Sequence, residues 1–201
     1  MCATLLMEAG SSPGASEEWA AAMEDIRDTV RACMQCGTCT ASCPNAHAMD
    51  LTPRSMWRML LMSDVDPSMT DEVLASHTFW MCSACYNCTL RCPRGLELTK
   101  AVYGLKRLAR ALGAPGAVRR GTFYDSFTRN VRSYGRVQEM ALMMRYFLAR
   151  RDPTLPFKFT PMGLKMLAKG KLHTPSSEHK GRLDALFDKV AEIEGRTEER
   201  S

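Results

Sequence analysis

Eight of the nine cysteines fall in two runs that share one spacing, Cys-x-x-Cys-x-x-Cys-x-x-x-Cys-Pro. The runs repeat with a period of 49 residues, and Thr40 and Thr89 also match between them. Two-residue gaps let a tight loop present three thiolates to three iron corners of one cube, and the fourth iron then needs a ligand from elsewhere. The pattern therefore predicts two 4Fe–4S clusters, with these ligands: Cys33, Cys36, Cys39, Cys43, Cys82, Cys85, Cys88 and Cys92.

The fourth cysteine of each run can be assigned by comparison with two-cluster ferredoxins. In those proteins the last cysteine of a run ligates the cluster of the other run. The same crossing predicts that the first cluster is held by Cys33, Cys36, Cys39 and Cys92. It predicts that the second cluster is held by Cys82, Cys85, Cys88 and Cys43.

Zinc and disulfide bonds are the other uses of a cysteine-rich chain. Zinc sites usually combine two cysteine or histidine pairs around one tetrahedral ion, which fits two complete runs with trailing prolines poorly. Disulfides need an oxidising compartment, and residues 1–16 lack the basic and apolar regions of a secretory signal. We therefore expect a cytoplasmic protein, and we expect no transmembrane segment because no apolar run reaches about 18 residues.

Several other residues near the runs could take part in chemistry. His47 and His77 are interpreted as packing or loop residues, since eight cysteines already satisfy both clusters, and Cys2 is interpreted as incidental. Three aromatic residues flank the runs, and we expect them to exclude water from the clusters: Trp57, Trp80 and Tyr86.

Apolar residues recur at helical spacing along most of the chain, and no segment alternates as a strand would. The fold class is therefore all-α. Residues 44–81 separate the two runs by more than in small ferredoxins, which favours an α-helical ferredoxin-like domain with two 4Fe–4S binding loops and additional C-terminal helices. The predicted divisions are a flexible N-terminus (1–16), a two-cluster domain (17–112), a helical C-terminal extension for subunit docking (113–194) and a tail (195–201). The proline-rich segment 152–161 is predicted to be extended.

The net charge of +5 is unevenly distributed. Residues 105–151 carry eleven Lys and Arg against Asp125 and Glu139, whereas residues 8–28 are acidic. A cluster with four thiolate ligands is an anion, so nearby positive charge would stabilise it, and an acidic partner protein could use the same tract. No nucleic-acid-binding motif accompanies the charge, so nucleic acid is not an expected partner.

The chain resembles the C subunits of heterodisulfide reductase and of its bacterial relatives. The resemblance rests on both cysteine runs and on two downstream stretches, 129–140 (RNVRSYGRVQEM) and 163–172 (GLKMLAKGKL), and it covers roughly residues 20–190. It implies a protein that relays electrons between the flavin-containing A-type subunit and the catalytic B-type subunit of such a complex. The catalytic cysteine repeats of the B-type subunit are absent here, because no cysteine follows Cys92. The chain itself is thus expected to be non-catalytic.

Two alternatives remain open from the sequence. The chain could be the iron–sulfur subunit of another dehydrogenase, although those usually fuse the ferredoxin part to a cysteine-repeat domain. It could also be a redox-sensing module that binds a cluster for regulation. Within the resemblance itself, the terminal substrate is either the disulfide of coenzyme M and coenzyme B or sulfur bound to a carrier protein.

Overall fold

The computed structural model describes residues 13–173 and 178–193. Their helices are α1 (Pro13–Val30), α2 (Thr38–Ala41), α3 (Pro53–Met62), α4 (Ser68–Ala75), α5 (Asn87–Leu90), α6 (Leu98–Ala111), α7 (Ala117–Tyr134), α8 (Glu139–Arg150), α9 (Thr154–Ala168) and α10 (Asp184–Ile193). Short 3₁₀ helices cover Ala46–Ala48 and Phe79–Met81. No β-strand occurs in this part of the chain, so the all-α prediction is confirmed.

The chain divides into two compact units, one ending at Arg120 and the other beginning at Gly121. Helix α1 begins at Pro13, inside the segment predicted to be flexible. Residues 1–12, with Cys2, and the predicted tail 195–201 lie outside the described residues. The domain boundary placed at residue 112 from the sequence stays a prediction.

Helices α1 and α6 form the centre of the first unit. Met23, Ile26 and Val30 lie on one face of α1 and are buried, because residues at this spacing stack along one side of a helix. They pack against the face of α6 that carries Leu105. The two helices approach closely at Gly104, where an added Cβ would lie 2.8 Å from Cγ1 of Ile26.

Helices α3 and α4 complete this core with large apolar side chains. Pro53 occupies the first position of α3, where its missing N–H costs nothing, and the Thr52 side chain caps the helix by accepting from Ser55 N. Trp57 and Phe79 are fully buried in the same cluster. The first unit thus has a continuous apolar core, and the two cysteine loops lie at its edge with Cys39, Cys82, Cys88 and Cys92 packed against it.

The second unit contains most of α7 together with α8, α9 and α10. The buried Asn130 ties α7 to the start of α8: its Oδ1 accepts from Gln138 N at 2.9 Å, and its Nδ2 donates to Gln138 O at 3.1 Å. Exposed apolar residues of α8 and α9, such as Met144 and Met162, line an open cavity of about 930 Å³. The predicted docking role of this unit stays a prediction.

The extended conformation predicted for residues 152–161 is wrong, because α9 covers Thr154–Ala168. Asp152 starts the helix by accepting from the backbone N and the hydroxyl of Thr154 at 2.9 and 2.7 Å. Pro153 and Pro156 fall at the cap and in the first turn, where backbone N–H groups have no intrahelical acceptor. Only Pro161 removes a donor from the helix interior. None of the helices in the described ranges is long and apolar enough to cross a lipid bilayer.

Candidate iron–sulfur site

The two cysteine loops, residues 33–43 and 82–92, repeat one backbone conformation. In the first loop Gln35 and Gly37 have positive φ values of 58° and 82°, and in the second loop the matching Ala84 and Tyr86 have 56° and 60°. A short helix follows each pair, α2 in the first loop and α5 in the second. Left-handed residues among right-handed ones turn successive N–H groups toward one concavity, which is a binding geometry for anions. An iron–sulfur cluster with thiolate ligands is such an anion.

The threonine shared by the two runs links each loop to the helix that follows it. Thr40 Oγ1 accepts from the backbone N of Arg54 at 3.0 Å, and Thr89 Oγ1 accepts from the backbone N of Thr99 at 3.0 Å. Arg54 and Thr99 are each the second residue of a helix, α3 and α6 respectively. The threonines therefore satisfy helix-start donors and fix the positive ends of both helices beside the cysteine loops.

The structure brings together the four cysteines predicted for the first cluster. Cys33, Cys36 and Cys39 line one pocket with Cys92, which comes from the second loop. The other lining residues include Leu96 and Leu98 on the apolar side and two cationic side chains, Arg54 and Arg94.

The fourth cysteine of the first loop lies beside the second loop. Burial raises the pKa of the Cys43 thiol, and its electrostatic interaction with Cys82, Cys85 and Cys88 raises it further. Asn45 holds the two segments together, because its Nδ2 donates to the carbonyl oxygen of Met81 at 2.7 Å. The last cysteine of each loop thus lies near the first three cysteines of the other loop.

Hydrogen bonds to sulfur differ among the cysteines of the first loop. Gln35 Nε2 donates to Cys33 Sγ at 3.4 Å, and the Thr38 hydroxyl lies 3.3 Å from Cys36 Sγ. The hydroxyl and the backbone N–H of Thr38 lower the pKa of the Cys36 thiol. Burial raises the pKa of Cys39, against the opposing effect of the Thr40 hydroxyl and N–H. Donors to sulfur favour the thiolate, which is the form that ligates iron.

A carboxylate clamp connects the segment after the first loop to the segment before the second. Asp50 Oδ1 accepts from the Thr78 hydroxyl at 2.6 Å, and Oδ2 accepts from the backbone N of His77 at 2.9 Å. The His77 ring lies with Nδ1 2.9 Å from Asp50 Oδ2 and Nε2 2.9 Å from the carbonyl oxygen of Ala48. Partial burial pushes the pKa of Asp50 up, but hydrogen bonds from Thr78 and from the N–H groups of His77 and Leu51 outweigh it and lower the pKa to about 2.

The sequence did not single out Asp50 or Asn45, since both act across contacts far apart in the chain. Of the aromatic residues expected to exclude water, Trp57 is fully buried in the core and Trp80 is partly buried, with its ring centroid 5.3 Å from that of Phe79. Tyr86 is half exposed, with 50% of its surface accessible.

The donor set suits 4Fe–4S clusters. All eight cysteines of the two loops are free thiols, and soft thiolates are the ligands that these clusters take. Four of these thiols line one pocket together with Leu96, Leu98 and the cations Arg54 and Arg94. The Cys43 thiol interacts electrostatically with Cys82, Cys85 and Cys88. Within the described ranges, no three or more His, Cys, Asp or Glu side chains converge as closely as a single metal ion would require.

Comparison with known proteins identifies the class of this site. Residues 29–96, which contain both cysteine loops, match the family described as "4Fe-4S dicluster domain". This part of the chain is therefore an iron–sulfur domain, and the sequence-based prediction of 4Fe–4S chemistry is confirmed.

Curated relatives narrow the class further. The chain is 36% identical over 115 residues to the iron–sulfur C subunit of CoB–CoM heterodisulfide reductase from Methanopyrus kandleri, covering 55% of this chain and 57% of that protein. It is 38% identical over 94 residues to the C subunit of ferredoxin:CoB–CoM heterodisulfide reductase from Methanosarcina mazei, covering 47% of this chain and 55% of that protein. The chain thus spans about half the length of these relatives. Over about half of its length the chain is similar to the heterodisulfide reductase C subunits, and the resemblance stated from the sequence is confirmed.

Proposed function

We propose that this chain holds two 4Fe–4S clusters with exchanged fourth ligands. The first cluster is bound by Cys33, Cys36, Cys39 and Cys92, and the second by Cys82, Cys85, Cys88 and Cys43. The observation that carries the proposal is the position of Cys92 in one pocket with the first three cysteines. The electrostatic interaction of Cys43 with all three cysteines of the second loop supports the reciprocal half.

The function that this site supports best is electron transfer within an oxidoreductase complex. A bound 4Fe–4S cluster accepts and releases one electron at a time. The positive-φ residues of both loops would let backbone N–H groups face an anionic cluster. The threonine hydrogen bonds fix the two loops on α3 and α6. Both loops belong to one compact unit, which suits a relay that receives an electron at one cluster and passes it on from the other.

The partners of this relay are inferred from the relatives. One relative is the C subunit of a ferredoxin:CoB–CoM heterodisulfide reductase, and another is the C subunit of an H₂:CoB–CoM heterodisulfide,ferredoxin reductase. We propose a heterodisulfide-reductase-like complex in the cytoplasm, in which this chain carries electrons between the flavin-containing A-type subunit and the catalytic, cysteine-rich B-type subunit. The chain contributes no substrate chemistry of its own in this account.

The experiment that tests the role uses anaerobically purified chain and the A-type and B-type subunits encoded in the same genome. About eight iron atoms per chain and an absorbance band at about 400 nm that bleaches on reduction are expected. In stopped-flow mixing, the reduced flavin subunit should bleach the band, and the B-type subunit should restore it. Intact clusters that exchange no electrons with either partner would contradict the relay. Salt-sensitive DNA binding that changes with the redox state would instead favour a regulatory module.

A further inference from the structure

The two cysteine loops share one backbone but differ in the side chains that face sulfur. Gln35 of the first loop corresponds to Ala84 of the second, and Thr38 corresponds to Asn87. The backbone match is close, because the left-handed residues fall at the same two positions of each loop and a short helix follows. Differences at these positions are therefore differences in the surroundings of equivalent sulfur atoms.

The first loop supplies its sulfurs with the better donors. Gln35 Nε2 lies 3.4 Å from Cys33 Sγ and Thr38 Oγ1 lies 3.3 Å from Cys36 Sγ. In the second loop Ala84 has no donor, and among the described residues the one side-chain contact to a sulfur is that of Thr99 Oγ1 with Cys88 at 3.8 Å. That hydroxyl also lies 2.9 Å from Thr89 Oγ1, so a second oxygen competes with the Cys88 sulfur for its hydrogen bond.

Two positions beside the first cysteine set carry arginine where the equivalent positions of the repeat carry an uncharged residue. Arg54 and Thr99 are equivalent, since each is the second residue of its helix and donates its backbone N–H to the matched threonine. Arg94 follows Cys92-Pro93 as Asn45 follows Cys43-Pro44. Both arginines line the pocket of the first cysteine set. Beside the second loop, Lys106 Nζ donates to the carbonyl oxygen of Cys82 at 3.0 Å, so this contact of the ammonium group is with a backbone oxygen and not with sulfur.

Resting on the proposed function, we propose that the cluster held by Cys33, Cys36, Cys39 and Cys92 has the higher reduction potential of the two. Gln35, Thr38, Arg54 and Arg94 raise that potential, because hydrogen bonds to sulfur and nearby positive charge stabilise the extra negative charge of the reduced cluster. The first electron added to the chain therefore resides at this cluster. An electron that arrives at the second loop moves downhill to the first.

The experiment is an anaerobic redox titration of the two-cluster chain, followed by electron paramagnetic resonance. Variants that exchange side chains between the two loops show which midpoint potential belongs to which cluster. Gln35→Ala with Thr38→Asn puts the second loop's residues into the first, and Ala84→Gln with Asn87→Thr does the reverse. Replacing the Gln35 and Thr38 contacts to sulfur by the second loop's residues should lower the reduced-to-oxidised ratio of the affected cluster by about tenfold at a fixed potential, which is about 59 mV for one electron. Iron content and the absorbance band of each variant serve as the loading control.

The proposal predicts which of the two titration midpoints moves. The first exchange should lower the higher midpoint and leave the lower one in place, and the second exchange should raise the lower midpoint. If the first exchange lowers the lower midpoint instead, or moves neither midpoint in a fully loaded protein, the assignment is overturned. A wild-type chain that binds no cluster pair fails the proposed function and not merely the ordering of potentials, so the two failures are distinguishable. The reverse exchange keeps the assignment testable if the first variant does not fold.

Discussion

The hydroxyl of Thr40 accepts a hydrogen bond from the backbone N–H of Arg54 at 3.0 Å, which fastens the first cysteine loop to the start of α3. Thr40 stands directly after Cys39 and three residues before Cys43, so this bond lies between cysteines assigned to different clusters. The second loop repeats the arrangement through Thr89 and Thr99. The threonine that repeats together with the cysteines therefore makes the same hydrogen bond to a helix start in both loops.

Replacing either threonine by valine should destabilise its loop. Thr40→Val and Thr89→Val each remove a side-chain acceptor at a helix start, which costs about 1 kcal/mol. The loss should appear in anaerobic urea unfolding and as faster transfer of iron to a chelator. Thr128→Val is the matched control, because Thr128 is exposed on α7 and no hydrogen bond of its hydroxyl is seen among the described residues. Equal iron release from all three variants would show that these bonds do not hold the loops.

Gly104 allows α1 and α6 to approach each other. An added Cβ would lie 2.8 Å from Cγ1 of the buried Ile26, so we expect Gly104→Ala to destabilise the chain by about 1–3 kcal/mol despite the higher helix propensity of alanine. Ile26→Ala should restore space, so the double variant should lose less stability than the sum of the single losses, as measured by urea unfolding.

Gly163 provides the control for this prediction. It lies within α9 and an added Cβ would meet nothing within 4 Å, so Gly163→Ala should stabilise the chain by up to about 1 kcal/mol. If Gly104→Ala stabilised the chain by the same amount, the close approach of α1 and α6 would be disproved.

Asp50 gives the stability of the first unit a defined pH dependence. Its pKa lies at about 2 in the folded chain, below the ordinary value of 3.8. Because the pKa is lowered in the folded chain, the Asp50 carboxylate contributes fully to the free energy of unfolding above about pH 4. This contribution is lost as the pH falls toward 2. Asp50→Asn should therefore unfold at lower urea concentration than wild type at pH 7, and the difference should shrink between pH 4 and pH 2.

The pH experiment compares metal-free wild type and metal-free Asp50→Asn, because acid protonates the thiolate ligands and releases iron before pH 2 is reached. Because Asp50 is partly exposed, we expect a modest difference in stability. A difference that stays constant from pH 7 to pH 2 would show that the Asp50 carboxylate is not the group responsible.

The sequence predicted the parts of the site that depend on local spacing. The two cysteine runs and the helical pattern of α6 are local signals, and both reappear in the structure. The clamp at Asp50 was not predictable, because its partner Thr78 lies 28 residues away and no periodic pattern marks such a pair.

Two further features of the structure were not predicted from the sequence, each for a different reason. The sequence predicted a helix only from residue 162, and the first part of α9 was missed because prolines at 153, 156 and 161 resemble a breaker cluster. The first two of these prolines fall where a helix start tolerates them. The unequal surroundings of the sulfurs are present in the sequence, where Gln35 aligns with Ala84, but their meaning depends on the shared backbone of the loops. A difference at one position of a repeat cannot be interpreted chemically until the structure shows which side chains contact the sulfur atoms.

The most direct test of the account compares four cysteine-to-serine variants by iron content and electron paramagnetic resonance. Cys36 belongs to the first loop's own cluster and Cys85 to the second's, so C36S and C85S define the two single-cluster spectra. With exchanged fourth ligands, C92S should alter the same cluster signal as C36S, and C43S the same signal as C85S. The account is contradicted if C92S instead matches C85S, or if C92S and C43S leave the metal content and both signals unchanged.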